Sequence, residues 1–198
     1  RRLPHGQAQA LGSISGKTYT FLILSGLATG ASWLCYFRAL KLGNAELVVN
    51  GAGVRSKFGK RYVMALYLPA KASDAKSAVA AKDVKRIAIQ LIKDVDGDTF
   101  AGAVSKGINN NSSDAEQAAL KERVKQLADT VNALGEIKAK SSIVFDLLGE
   151  KGTVLTINGQ QKGKDIPGED FQAALLRVWL GDDPVQNDLK QALLGKAQ

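Results

Sequence analysis

The sequence predicts an α+β fold, with helices on one face of a mostly antiparallel sheet, behind an N-terminal apolar helix. Three observations predict it. Short alternating segments such as AELVVN and KRYVMALYL are punctuated by glycines, segments of helical period come in separate blocks, and the first part of the chain holds a long uncharged run. Strands are expected at residues 45–50, 53–58 and 60–68, with turns at Gly51, Gly53 and Gly59 and a stop at Pro69. A short helix follows over SDAKSAVAA. The next strand is VKRIAIQLI, where Ile87, Ile89 and Leu91 alternate with Ala88, Gln90 and Ile92. Two helices come next, over TFAGAVSKGINN and from Ser113 to Leu134. Ser113 and Glu116, three residues apart, have capping-box spacing. SIVFDLL and TVLTING form a hairpin around Glu150 to Gly152. Helices over GEDFQAALLRVWLG and VQNDLKQALLG close the chain, the first stopping near Gly181 and Pro184.

The net charge of +8 first suggests a nucleic-acid partner. Its distribution argues against one. Residues 1–43 contain Arg1, Arg2, Lys17, Arg38 and Lys41 and no acid, so only about +3 is left for the other residues of the 198. There the charges of both signs are interspersed along helices, which marks a solvated face, and aromatic residues are too few for a base-stacking platform. The single cysteine, Cys35, excludes an intrachain disulfide and a multi-cysteine zinc site, and His5 has no catalytic partner near it in sequence. No metal or cofactor is expected.

From Tyr19 to Phe37 the chain has 19 residues without a charge, enough for a single membrane span, flanked by Lys17, Arg38 and Lys41. Trp33 and Tyr36 stand near one end, and Gly26 and Gly30 give the spacing of a close helix contact. A signal peptide fits less well because no small-residue cleavage site follows. The string SGLATGASWLCYFRALKLG resembles part of the EamA-type drug and metabolite transporters. One helix cannot enclose a transport site, so the resemblance implies an anchor or remnant, with possible membrane contact through residues 19–37. The chain starts without Met, so a fragment or processed product is expected.

Two motifs in the remainder invite chemical readings. KDVDGDTF looks like a calcium loop or a phosphoryl-transfer aspartate pair, but counting from Asp94 puts Thr99 and Ser105 where an EF-hand needs Gly and Glu. Asp96 or Asp98 capping the next helix is the simpler expectation. The second motif is NGAGVRSKFGKRYVMALYLP. Arg55 and Tyr62 lie on adjacent strands across a short hairpin, so both can face one side of the sheet. A guanidinium facing an apolar layer must find an anion or several acceptors, because desolvating it unpaired is prohibitive. Three partners are open to it: a bound carboxylate or phenolate with the Tyr62 hydroxyl as second donor, an internal acid such as Asp146, or solvent.

NGAGVR at 50–55, RYVMALYLP at 61–69 and IPGEDFQAALLRVWLGDDPV at 166–185 together resemble the chalcone isomerase-like family over about Ala45 to Gly195. The resemblance implies an open-faced β-sandwich, a curved antiparallel sheet covered by helices with a ligand cleft between. It implies that Arg55 holds an anionic group, a flavonoid oxygen in plant enzymes or a carboxylate in fatty-acid-binding relatives, and that Tyr62 joins it in the latter. Ring closure of a chalcone needs donors for the developing enolate as well as the cation. The family's catalytic threonine, tyrosine and asparagine positions fall on Tyr62, Phe100 and Gly107. Phe100 and Gly107 have no side-chain donor, which favours binding over turnover.

The resulting expectations are two domains, residues 1–43 and 44–198, and a non-catalytic site for a small amphipathic acid. Arg55 and Tyr62 hold its head group, and Phe100, Val104, Leu175 and Trp179 are candidates for its apolar wall. An isomerase with an altered donor set and an envelope protein-interaction domain with a vestigial cleft are the alternatives. A flavonoid-like ligand belongs to the first of these, and the expected location is membrane-associated or periplasmic. Family members usually carry further residues ahead of NGAGVR, often an initial strand, and here other residues stand in their place; if that strand belongs to the sheet, its loss leaves the cleft incomplete and an edge open to self-association.

Overall fold

A computed structural model of the chain describes residues 40–42, 44–80 and 84–196. The apolar run at 19–37, with His5 and Cys35, lies outside the described residues. The described residues all fall in one compact unit. Among the described residues, no helix is long and apolar enough to cross a membrane.

Seven strands form one antiparallel sheet. In chain order they are β1 (Leu40–Leu42), β2 (Ala45–Ser56), β3 (Lys60–Leu68), β4 (Lys85–Leu91), β7 (Ser142–Leu147), β8 (Thr153–Ile157) and β9 (Gln160–Ile166), and they neighbour one another in that order. Between β4 and β7 come β5 (Val95–Asp96) and β6 (Glu136–Ile137), which pair only with each other. The helices are α1 (Ala75–Ala80), α2 (Gly97–Asn110), α3 (Asp114–Asn132), α4 (Glu169–Leu180) and α5 (Asn187–Leu193).

Direct register partners put their side chains on the same face. Leu66, Ile87, Phe145 and Leu155 form one such row across four strands, and Met64, Ile89, Ile143 and Ile157 another. All eight are buried, 6% exposed at most, in one core with Phe100, Val104, Leu175 and Trp179 from the helices. The predicted α+β class and helix-covered antiparallel sheet therefore hold for these residues. Between α2 and α3 the capping box forms as expected: the Ser113 hydroxyl accepts the Glu116 N–H and the Glu116 carboxylate accepts the Ser113 N–H.

The predicted turns at Gly51 and Gly53 do not occur. One strand, β2, runs through both, and the register slips by one residue at Asn50, a β-bulge. Both glycines are there because α5 lies against them: a Cβ on Gly51 would stand 2.1 Å from the Ala192 carbonyl oxygen, and one on Gly53 would stand 2.8 Å from the Ala192 Cβ. Asn50 is buried and its amide donates to the Leu193 and Ala72 carbonyls at 2.8 and 3.0 Å while accepting the Ala72 N–H at 2.7 Å. The bulge thus ties β2 to the end of α5 and to the loop after β3. A short strand, β1, pairs with the start of β2, Leu40 to Leu42 against Leu47 to Ala45.

The expected capping of α2 by Asp96 or Asp98 is met in part. Asp96 is the N-cap residue by backbone but its side chain makes no capping bond; Asp98 accepts from the Thr99 N–H at 2.7 Å. Asp94 is held by the Ala139 N–H at 2.7 Å and by Lys138. Among the described residues no cluster of His, Cys, Asp or Glu has the geometry to hold a metal.

Candidate functional site

Arg55 sits at the end of β2 and Tyr62 near the start of β3, in direct register across the pair, with Leu91 of β4 opposite Tyr62. This puts Arg55 and Tyr62 on the face that also carries Met64 and Leu66, the face covered by helices. The hairpin spacing read from sequence therefore does bring the two side chains to one side of the sheet.

Trp179 reaches Tyr62 from α4. Phe171, Leu175 and Trp179 recur every four residues along one buried face of that helix, and at its last turn the indole Nε1–H donates to the Tyr62 hydroxyl at 3.0 Å. That bond occupies an acceptor site of the phenol and leaves the phenolic proton free to be donated. Burial pushes the Tyr62 pKa above its ordinary value and outweighs the opposing pulls of the Trp179 bond and the Arg55 charge. Tyr62 is therefore a neutral donor at physiological pH.

Gln186, the N-cap residue of α5, orients Arg55. Its Oε1 accepts from Arg55 Nη1 at 3.0 Å and from the Ser56 N–H at 2.8 Å, and its Nε2 donates to the Val54 carbonyl at 3.3 Å. Arg55 Nη1 also donates to the Ser56 carbonyl at 3.2 Å. One edge of the guanidinium is thus held by neutral acceptors. Among the described residues no carboxylate pairs with it. Asp146, the internal acid weighed from sequence, is engaged by Arg86 through a two-pronged contact, Nε to Oδ1 at 2.5 Å and Nη2 to Oδ2 at 2.8 Å. That pair lies on the other face of the sheet, since Phe145, next to Asp146, faces the core. Nothing in the sequence singled out Gln186: a lone glutamine at the start of a helix has no motif, and only the fold brings it to β2.

The wall candidates Phe100, Val104 and Trp179 are 7%, 4% and 2% exposed and pack, with Leu175, in the core. Gly107, where the family resemblance places an asparagine, is a crossing point: a Cβ there would stand 2.7 Å from Val178 Cγ1, so α2 and α4 meet with no room for a larger side chain. A separate surface groove of about 560 Å³ lies between α3 and β9, lined by residues including Glu122, Lys125, Asp129 and Lys164. It is at the opposite edge of the sheet from β2, and its ionic walls do not suit an acyl chain.

A protein of Sinorhizobium sp described as an uncharacterized transporter in the cobO 3' region is 67% identical over 43 residues, which is 22% of this chain and 30% of that protein. The chain thus spans less than a third of that relative, and this short likeness is all that stands of the EamA-type resemblance. Among solved structures, the crystal structure of an Arabidopsis thaliana fatty-acid binding protein superposes with a TM-score of 0.58 at 14% identity, covering 80% of this chain and 90% of that one. At that identity the likeness establishes the fold, a curled antiparallel sheet with helices. The model of one family, chalcone isomerase-like, matches residues 36–195, beginning ahead of β1 and ending after α5. With four-fifths of its length matched, the chain belongs to the chalcone isomerase-like family.

Proposed function

We propose that this domain binds a small amphipathic acid, such as a fatty acid, without turning it over, and that Arg55 and Tyr62 hold its carboxylate. The observation that carries this reading is the state of Arg55, a half-buried cation held along one edge by a glutamine that brings no charge. A carboxylate can take the other edge in a two-pronged pair, and the neutral Tyr62 phenol can donate beside it. The lipid named for the Arabidopsis neighbour is compatible with this.

The tail requires more than the head group. Phe100, Val104 and Trp179 are packed in the core, so an acyl chain enters only if α2 or α4 moves outward from the sheet. Each CH₂ so buried contributes roughly 0.8 kcal/mol, partly offset by the contacts it displaces. Native mass spectrometry of the purified protein tests the proposal. A co-purifying fatty-acid-sized adduct, lost in Arg55→Ala, is expected; a bare protein that stays bare with added fatty acid contradicts it.

Family membership and the Tyr62 donor favour one second reading, an isomerase with an altered donor set. Phe100 and Gly107 count against it, since neither supplies a proton to an enolate. Ring closure of a chalcone that depends on Arg55, followed by absorbance, would promote this reading over the first.

A further inference from the structure

Two large apolar side chains are exposed among the described residues, Phe58 at 88% and Ile92 at 40%, and they share one corner of the sheet. Phe58 is the tip of the β2–β3 hairpin. Ile92 follows β4 and is held beside the hairpin by its N–H, which donates to the Arg61 carbonyl at 2.8 Å. Phe58 has φ of 53°, a left-handed conformation uncommon for an aromatic residue, where Asn or Gly would sit with less strain. The turn alone gives no reason for a phenylalanine there.

Its surroundings are cationic. Lys57, Lys60, Arg61 and Lys93 are all exposed, and none has a carboxylate partner among the described residues. The tip glycine, Gly59, is close to Lys93: a Cβ there would be 3.5 Å from the Lys93 Nζ. Between Glu46 and Asp74 the sequence has no acid at all. The acid next to Lys93, Asp94 in the loop after β4, is taken by the Ala139 N–H and Lys138.

An exposed aromatic tip beside exposed cations that have no carboxylate partner among the described residues fits one kind of partner. We propose that the Lys57–Arg61 hairpin tip, with Ile92 and Lys93, docks on an anionic lipid bilayer surface, Phe58 entering the interface and the cations meeting the lipid phosphates. Apolar side chains such as Phe that enter the acyl boundary, beside basic residues that meet the phosphates, are what such surfaces hold. A nucleic-acid strand fits less well, because, among the described residues, Phe58 is the one exposed ring at this corner and Ile92 offers none for stacking. The docking does not depend on the proposed ligand. If that ligand is a lipid acid, however, Arg55 and Tyr62 lie at the root of the same hairpin, where an acid leaving the bilayer would first meet the protein.

The test uses the full chain with Phe58→Trp, vesicles of phosphatidylcholine alone or with about one-third phosphatidylglycerol, and brominated lipids as depth-sensitive quenchers. Subtracting the signal of the unsubstituted chain removes Trp33, Trp179 and any contribution of residues 19–37. Quenching of the added tryptophan only with anionic vesicles, relieved by salt, is expected. Combined Lys57→Glu and Lys60→Glu should lower anionic-vesicle affinity by more than about tenfold, and Phe58→Ser by about tenfold, from the transfer value of one phenylalanine side chain. Equal binding to both vesicle types, no added quenching, or an oligonucleotide bound more tightly than the vesicles would each overturn the proposal. All three positions are exposed, so thermal melts should be unchanged.

Discussion

Trp179 donates its indole N–H to the Tyr62 hydroxyl at 3.0 Å, linking the last turn of α4 to the third strand at the point where Arg55 comes alongside. Replacing Tyr62 by Phe leaves that N–H without its acceptor. Tyr62→Phe should therefore cost about 1–3 kcal/mol in denaturant unfolding and also weaken carboxylate binding. Trp179→Phe, which removes the donor, should leave the phenol intact and shift its titration.

The Tyr62 phenol also predicts an alkaline limb. Its pKa is raised in the folded state by burial, so the unfolded chain releases this proton first as pH climbs. The contribution is fully present below the ordinary phenol value near 10 and is lost as pH rises from there through the folded value. Unfolding followed from pH 8 upward should show a steeper alkaline loss in the unsubstituted protein than in Tyr62→Phe; parallel curves would contradict the assignment.

Two glycines of α2 should respond in opposite directions. Gly102 is exposed, and a methyl group added there would have nothing within 4 Å, so Gly102→Ala should stabilise by about 1 kcal/mol through helix propensity. Gly107 faces Val178 at 2.7 Å, and Gly107→Ala should destabilise by about 1–3 kcal/mol. Chemical denaturation of the pair decides this, since matching shifts would mean the α2–α4 crossing is not as close as described.

Much of the fold was legible because its elements obey local rules. The Ser113 capping box, the β4 alternation and the stop of α4 at Gly181 all appear where spacing places them. Other elements were hidden for identifiable reasons. Strand β9 reads QQKGKDI and has no apolar alternation because most of its side chains lie in solvent, and β5 and β6 are two residues each. Gly51 and Gly53 looked like turns, yet they are glycines because a helix from the far end of the chain rests on them, which no local pattern encodes. At the site, the hairpin spacing gave the Arg55–Tyr62 pairing, while Gln186, more than a hundred residues away, was silent.

The Glu116 carboxylate should mark the acid limb. Its pKa is lowered by the Ser113 backbone N–H first and by Arg177 of α4 second, at 2.9 Å. A depressed carboxyl contributes stability that is present above its unfolded value and lost as pH falls through the folded one. Glu116→Gln should flatten the loss of stability below about pH 5, and Ser113→Ala should cost about 1 kcal/mol at neutral pH through the lost cap.

The most direct measurement compares a long-chain fatty acid with the alcohol of the same chain length, by calorimetry or displacement of a fluorescent probe, in the unsubstituted protein and in Arg55→Ala. If the guanidinium holds the head group, the substitution should weaken carboxylate binding by about ten- to a hundredfold, the scale of a charged hydrogen bond, and alcohol binding by only a small factor. Equal losses for acid and alcohol, or no loss for either, would contradict a head-group role for Arg55.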